Sequence, residues 1–433
     1  MASSQVPTGL LGDVPVQKIA NAARSTPFYL YDVASMRRAA RELTGAYGAT
    51  KAKVFYAVKA NSAGPVVRAF AEEGCGADVV SGAEIDLAVQ ASVLPENIVF
   101  SGVAKTDREI QHAITLGGVG IRSICAESVE ELLRIAQIAK SLSRKANVSI
   151  RINPEIAEDD LHTHKHIATG HDAAKFGIAR VDLPAAFRVI SNSEHLRFVG
   201  IACHAGSQFT ETAAYLAAAD ILFAIALELP EPLRSTLQTI DTGGGFGIDY
   251  GEGCDVRPKH FIEAVVQKAK TLGLDRYTLG CEPGRALVAP YGILVARVIQ
   301  TKRTPYDGPT RKRWLMVDAG MNDLLRPALY QAKHRVAPLG QWSGDDVTMR
   351  VVGPVCESSD DFGDHVLPEI PGSHVVFRDA GAYGFTMASE YNGRMLPDEY
   401  FWDGKVVSSL FSDSPWGARR LSETPNPLAE VGL

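Results

Sequence analysis

Val54-Phe55-Tyr56-Ala57-Val58-Lys59-Ala60-Asn61 is an apolar run that leaves a lysine at its mouth. A short continuous apolar run of this kind reads as a buried strand. A lysine so placed can serve as a covalent catalyst. Its free amine, with a pKa of ~10.4, is a poor nucleophile at pH 7, so a catalytic lysine is usually desolvated or already condensed with a carbonyl. Most lysines that end strands are surface groups with their stems along apolar surface, so the stretch takes its meaning from what surrounds it.

What surrounds it is a rhythm. From about residue 50 to 285, short apolar runs of β type alternate with amphipathic helical segments, the pattern of a parallel α/β fold. The runs are Val54 to Val58, Ala77 to Val80, Asn97 to Phe100, Gly120 to Cys125, Val148 to Ile152, Phe198 to Cys203, Leu237 to Asp241 and Tyr277 to Cys281. Ser128 to Ser141 illustrates the helices, with Val129, Leu132, Leu133, Ile135 and Ala136 at helical spacing behind acidic Glu127, Glu130 and Glu131. A doubly wound open sheet has a similar rhythm, but the strand count favours a (β/α)8 TIM-like barrel. Functional residues should then cluster just after the strands, at the face where barrel active sites lie.

Beyond Pro290 the helical rhythm stops. Ile293 to Ile299, Trp314 to Val317, Val347 to Val352, His374 to Phe377 and Val406 to Leu410 are β-type runs separated by Gly, Pro and Asp turns, so a mainly antiparallel β domain is expected. Pro27 to Tyr31 is a further strand ahead of the barrel. The expected organisation is an N-terminal segment, 1–40, joining the β domain, a barrel over 41–289 and the C-terminal β domain over 290–433.

Composition narrows the class. The chain has 433 residues, 46% apolar and 22% charged, enough for two sizeable cores, and a formal charge of −6 that gives no basic footprint for nucleic acid or anionic membrane. A small-molecule partner is expected. The six cysteines are scattered without C-x-x-C pairs or disulfide-dense spacing. Met1 to Asp13 shows no basic segment leading into an apolar one, and no run approaches ~18 uninterrupted apolar residues. A soluble, cytoplasmic protein that binds neither nucleic acid nor membrane is expected.

The strand ends carry the chemistry. The first ends at Lys59, and the second contains Asp78. The fifth ends in Arg151-Ile152-Asn153-Pro154. The sixth ends in His204-Ala205-Gly206-Ser207-Gln208, which sets an imidazole and then a hydroxyl over the mouth. The seventh runs into Asp241-Thr242-Gly243-Gly244-Gly245-Phe246-Gly247, whose backbone amides can cradle a phosphate. The eighth yields Cys281-Glu282-Pro283-Gly284-Arg285. A carbonyl-condensing lysine, a phosphate cup, an imidazole face and an acid to keep a ring nitrogen protonated, Glu282, together suit pyridoxal 5'-phosphate, which withdraws electrons from a carbanion at Cα.

With these motifs in place, the chain resembles the fold-type III pyridoxal-phosphate decarboxylases of amino acids, the alanine-racemase-like barrel group, from Pro27 to about Trp416. Within that group its motifs are most similar to those of members acting on meso-2,6-diaminopimelate. His162-Thr163-His164-Lys165-His166-Ile167-Ala168-Thr169-Gly170 followed by Lys175-Phe176-Gly177 resembles their active-site loop, although Glu155 to Leu161 is a few residues longer. No cysteine or acidic set with ligand spacing accompanies the three histidines, so no metal is expected. Gly353-Pro354-Val355-Cys356-Glu357-Ser358-Ser359-Asp360 and Asp379-Ala380-Gly381-Ala382-Tyr383-Gly384 resemble two further signatures of the group.

The resemblance implies roles. Gly284 and Arg285 join the cofactor site with Asp78, His204, Ser207, Gly243, Gly244, Gly245, Glu282 and Tyr383. Arg285, Arg326, Tyr330, Glu357 and Tyr383 bind substrate, with an arginine fork for a distal carboxylate and Glu357 for the distal ammonium. Cys356 is the acid that protonates the carbanion, contributed by the partner of a homodimer with shared active sites. The expected reaction is decarboxylation of meso-2,6-diaminopimelate to L-lysine. The alternatives are the same chemistry on ornithine, lysine or arginine, which the paired Arg285 and Arg326 argue against, and a non-catalytic pyridoxal-phosphate carrier, which would have no use for Cys356.

Overall fold

The computed structural model describes residues 11–156, 170–171, 174–255, 257–303, 313–405 and 407–411. The chain divides into two compact units: Asp32–Tyr291 with Gly381–Thr386, and Met1–Tyr31 with Gly292–Ala380 and Met387–Leu433.

The larger unit follows strand β1 (Phe28–Asp32) and is a closed parallel barrel of β2 (Ala52–Ala57), β3 (Gly76–Val79), β4 (Ile98–Phe100), β5 (Ser123–Ala126), β6 (Ala146–Ile152), β7 (Leu196–Cys203), β8 (Thr239–Asp241) and β9 (Thr278–Cys281). All eight expected runs carry a barrel strand. The register sets Ala57 beside Asp78 and Ala202 beside Asp241, and Val54 beside Cys281 closes the ring. The strands' C-terminal ends thus share one rim.

The helices between strands follow from capping and pattern. Ser128 accepts the Glu131 amide and starts Val129–Ser141, whose first turn is acidic and whose last turn holds Lys140, both favourable to the helix dipole. Leu132, Ile135 and Ala139 are buried, and each large apolar side chain removed from water contributes roughly 1.5–3 kcal/mol. Leu133, read as part of that apolar stripe, is instead exposed. Replacing Ser128 by Ala would cost about 1 kcal/mol of helix stability.

The smaller unit is a nine-stranded sheet. It contains β1, β10 (Gly292–Arg303), β11 (Arg313–Val317), β12 (Val336–Leu339), β13 (Ser343–Val352), β14 (Asp361–Ile370), β15 (His374–Phe377), β16 (Asp398–Trp402) and β17 (Val407–Leu410). β1 pairs antiparallel with β10, Phe28 beside Val295. One pair, β11 with β13, is parallel. Phe28, Leu30, Ile293, Val295, Val376 and Tyr400 form its core with Val16 and Ile19 of helix Val16–Ala22.

The unit boundaries differ from the expected ones at three places, one of them the barrel's end, at Tyr291 and not Ala289. Residues after Tyr31 go with the barrel, because helix Val33–Gly45 buries Val33, Met36, Ala40 and Leu43, packs on helix Gly64–Glu72, and is tied there by Arg41 to Glu73 at 2.6 Å. Gly381–Thr386 also goes with the barrel, tied by the Tyr383 amide to the Ala60 carbonyl at 2.8 Å.

Candidate active site

Lys59 is not the last residue of its strand. β2 stops at Ala57, and Lys59 is the middle residue of a single 3₁₀ turn, Val58–Ala60, which swings its side chain over the rim. Its Nζ lies 3.4 Å from Oδ2 of Asp78, a fully buried acid on the neighbouring strand. Burial pulls the ammonium down, but the charges of Asp78, Tyr383 and Glu282 outweigh it, and the group is pushed up to about 12. A lysine so held is an ammonium at neutral pH and must give up its proton before bonding to a carbonyl. Glu282 faces the reverse pressure: burial, then Asp78 and Asp241, hold its carboxyl well above the usual range against the pull of Lys59 and Arg151.

The glycine segment after β8 forms a cup that only backbone can line. A Cβ on Gly243, Gly244 or Gly245 would lie 2.2, 2.0 or 2.2 Å from the carbonyl oxygens of Cys203, Glu282 and Gly206, and Gly243 and Gly245 have φ of +73° and +93°. The Gly243 amide donates to Asp241 Oδ1 at 2.8 Å, and the Gly244 amide to His204 Nδ1 at 3.1 Å. That second bond leaves the imidazole proton on Nε2. Burial, then the charges of Arg151 and Lys59, push His204 well below the ordinary histidine range.

Beside the cup, Arg285 donates through Nη1 to the Tyr250 hydroxyl at 2.8 Å and through Nη2 to Ser207 Oγ at 3.0 Å. Its guanidinium lies 5.1 Å from the Tyr383 ring centre, and Tyr383 takes a φ of +55° to stand there. Gly284 is required by contact, since a Cβ would meet that of Ala60 at 2.9 Å. The barrel therefore brings together Lys59, Asp78, His204, Ser207, Gly243, Gly244, Gly245, Glu282, Gly284, Arg285 and Tyr383.

Several contributors were given no role in the sequence reading. Arg151, at the end of β6, donates to Glu127 Oε1 at 3.0 Å and lies over the Phe176 ring at 4.6 Å. Glu127 also accepts the amides of Gly102 and Gly177 at 3.1 and 2.8 Å, and its own amide donates to Glu131 Oε2 at 2.8 Å. Lys105, buried, reaches Glu131 at 3.3 Å. Acids that look like helix-start charges are thus buried struts joining three strand ends to the segment before β7. Gln208 pairs its amide with the Ile248 backbone, and Tyr250 completes the Arg285 fork. The Arg151-Ile152-Asn153-Pro154 and His204 to Gln208 strand ends signalled Arg151 and Gln208, and nothing in the sequence signalled the others.

The β unit carries the remaining expected residues. Arg326, buried, opens the one-turn helix Arg326–Tyr330, and Tyr330 closes it. Arg326 Nη1 donates to His334 Nε2 at 2.9 Å, and His334 Nδ1 donates to the Arg378 carbonyl at 2.9 Å, so the ring is neutral and orients the guanidinium. Cys356 and Glu357 lie on an exposed turn. The Cys356 amide donates to Asn392 Oδ1 at 2.9 Å, and Asp360 holds the turn from below by accepting the amides of Met321 and Val355, each at 2.6 Å. The other cysteines are buried or partly so, and burial pushes Cys75 and Cys203 up to about 12. His162 to Thr169 and most of Glu155 to Leu161 lie outside the described residues, within which no group of three His, Cys, Asp or Glu is placed to hold a metal.

The barrel rim fits pyridoxal phosphate. Asp78 Oδ1 is buried with no hydrogen-bond partner among the described residues, as expected of an acid facing a cation. The glycine segment presents backbone without side chains, the kind of lining a phosphate takes, and the buried Glu282 carboxyl is the acid that would serve a ring nitrogen.

Comparison with known proteins agrees. Residues 33–289 match the family described as pyridoxal-dependent decarboxylase, pyridoxal binding domain. The diaminopimelate decarboxylase of Zymomonas mobilis is 40% identical over 90% of this chain and 91% of its own length, and that of Helicobacter pylori is 39% identical over 85% and 88%. The crystal structure of the Helicobacter pylori enzyme complexed with L-lysine superposes with a TM-score of 0.85 at 36% identity, covering 96% of this chain and all of that one. The M. jannaschii enzyme in co-complex with L-lysine gives 0.84 at 30% identity, covering 98% of each. The chain belongs to the diaminopimelate decarboxylases, within the pyridoxal-dependent decarboxylase family.

Proposed function

We propose that the chain decarboxylates meso-2,6-diaminopimelate to L-lysine, as a homodimer with shared active sites in the cytoplasm. The observation that carries the reading is the rim of the barrel, where an ammonium held by Asp78 faces Glu282 and a glycine cup closed by His204. Bound pyridoxal phosphate would supply a protonated ring that takes up the electron pair left when carbon dioxide departs. Lys59 would be the amine that holds the cofactor. Gly243, Gly244, Gly245 and Gly284 would hold its phosphate with Ser207 and Arg285, His204 would hold its ring, and Glu282 would keep the ring nitrogen charged. Tyr383 serves both the phosphate and the substrate.

Substrate recognition falls to Arg285, Arg326 and Tyr330 for the distal carboxylate and to Glu357 for the distal ammonium. Each charge-assisted bond contributes ~1.5–3 kcal/mol. The Cys356 thiol returns a proton to the carbon that has lost carbon dioxide. Its place on an exposed, firmly tied turn supports delivery to the site of a second copy. Mixing tests this directly. Lys59→Ala and Cys356→Ala homodimers should each be nearly inactive, and subunit exchange should restore activity, because one site of each heterodimer then has both residues intact. Heterodimers shown by mass to form yet as inactive as the parents would overturn the shared site.

A further inference from the structure

At the opposite end of the barrel, where the strands begin, a cavity of about 450 Å³ is lined by four cations: Arg122 before β5, Arg144 and Lys145 before β6, and Arg197 at the second residue of β7. Glu96 is the only acid among the described residues of its lining. Among the described residues none of the four cations forms an ion pair. Three are exposed and Arg122 is half-buried, with Nη2 donating to Thr239 Oγ1 at 2.8 Å. Arg144 is held by the Gly118 carbonyl.

Like charges gathered in a concavity repel one another, and this is a chain whose 50 acids outnumber its 44 basic residues. The same number of cations spread over a convex surface would be solvated and would cost little. Here they converge on a space of the size that small-molecule sites occupy, ~300–1,000 Å³. Asn147 adds a neutral amide to the lining, although it also donates to the Ile121 carbonyl at 3.0 Å. Arginine forks and a lysine point charge suit an oxyanion with two or more negative charges.

We propose that this cavity binds a small multivalent oxyanion, a di- or triphosphate or a di- or tricarboxylate, at a site separate from the catalytic rim. Arg122 is its link to the interior. It also lines a cavity of about 20 Å³ inside the barrel, together with Asp241 and Glu282.

Calorimetric titration of the holoenzyme at low ionic strength, with saturating L-lysine to occupy the catalytic site, tests the proposal. Inorganic pyrophosphate and citrate are the two probes, and tighter binding of one assigns the phosphate or the carboxylate class. Loss of one charge-assisted contact weakens binding about 10-fold, so Lys145→Gln and Arg197→Gln should each do so, with kcat and KM unchanged. Arg197→Glu, checked for its fold by circular dichroism, should abolish binding. Absence of one-site binding for both probes, or binding that survives the Lys145→Gln/Arg197→Gln pair, would overturn it.

Discussion

The amide of Gly244 donates to Nδ1 of His204 at 3.1 Å, so the phosphate cup itself dictates that this imidazole is neutral and protonated on Nε2. Burial and the charges of Arg151 and Lys59 act in the same direction by pushing the histidine well below its ordinary range.

His204 should therefore not titrate between pH 8 and 5.5. A histidine whose folded pKa lies below the unfolded value of ~6.5 contributes stability that is complete above that value and is lost as the pH falls below it. Nitrogen-15 NMR of labelled histidine, with the signal assigned by its loss in His204→Gln, should show one Nε2–H tautomer across that range. A midpoint near 6.5 would contradict the geometry.

Arg326 depends on His334 in a way that separates positioning from contact. His334→Ala removes the acceptor at 2.9 Å and frees the guanidinium to swing. If Arg326 grips the substrate carboxylate, KM for meso-diaminopimelate should rise about 10-fold with a smaller change in kcat, the worth of one charge-assisted bond. His334→Gln, which can still accept from Arg326, should recover most of the loss. Equal losses in the two variants would reduce His334 to a packing role.

Glu399, in the β unit, is pushed up to about 7, chiefly by burial, with the Tyr31 hydroxyl donating to Oε1 at 2.8 Å and pulling the other way. The fold therefore binds a proton that the unfolded chain, with a carboxyl near ~4.3, releases, and the stability it confers is lost as the pH rises towards 7. Glu399→Gln mimics the protonated form. Relative to wild type, it should gain roughly 2 kcal/mol in urea unfolding on going from pH 5.5 to 8, which is about 1.5 units at ~1.36 kcal/mol each. A difference independent of pH would show that Glu399 stays ionised in the fold.

The barrel was legible because short, largely apolar runs bounded by turn residues alternate with amphipathic helical segments. The rim chemistry was legible because strand ends point their next residues to one face. The β unit was harder to read. β14 carries Asp361, Asp364, His365, Pro368 and Glu369 on a mostly solvated strand, and β16 opens with Asp398 and Glu399, whose partners Arg24 and Tyr31 lie at the other end of the chain. Such strands look like loops. The struts Glu127, Glu131 and Lys105 were illegible as site residues because their partners lie on other elements, 20 or more positions away in sequence for Lys105 with Glu131 and for Glu127 with Arg151. His334 reaches Arg326 only because Gln331 turns the chain at a φ of +54°.

The central claim is that the site is built for an amino acid with a second carboxylate. The most direct measurement is kcat/KM for release of carbon dioxide from meso-2,6-diaminopimelate and from L-ornithine by the same holoenzyme. A site with buried arginines left unpaired rejects an analogue by ~10⁴-fold or more, so ornithine should be slower by at least that factor, and L-lysine should accumulate in step with carbon dioxide from the first substrate. Comparable kcat/KM for the two would contradict the account.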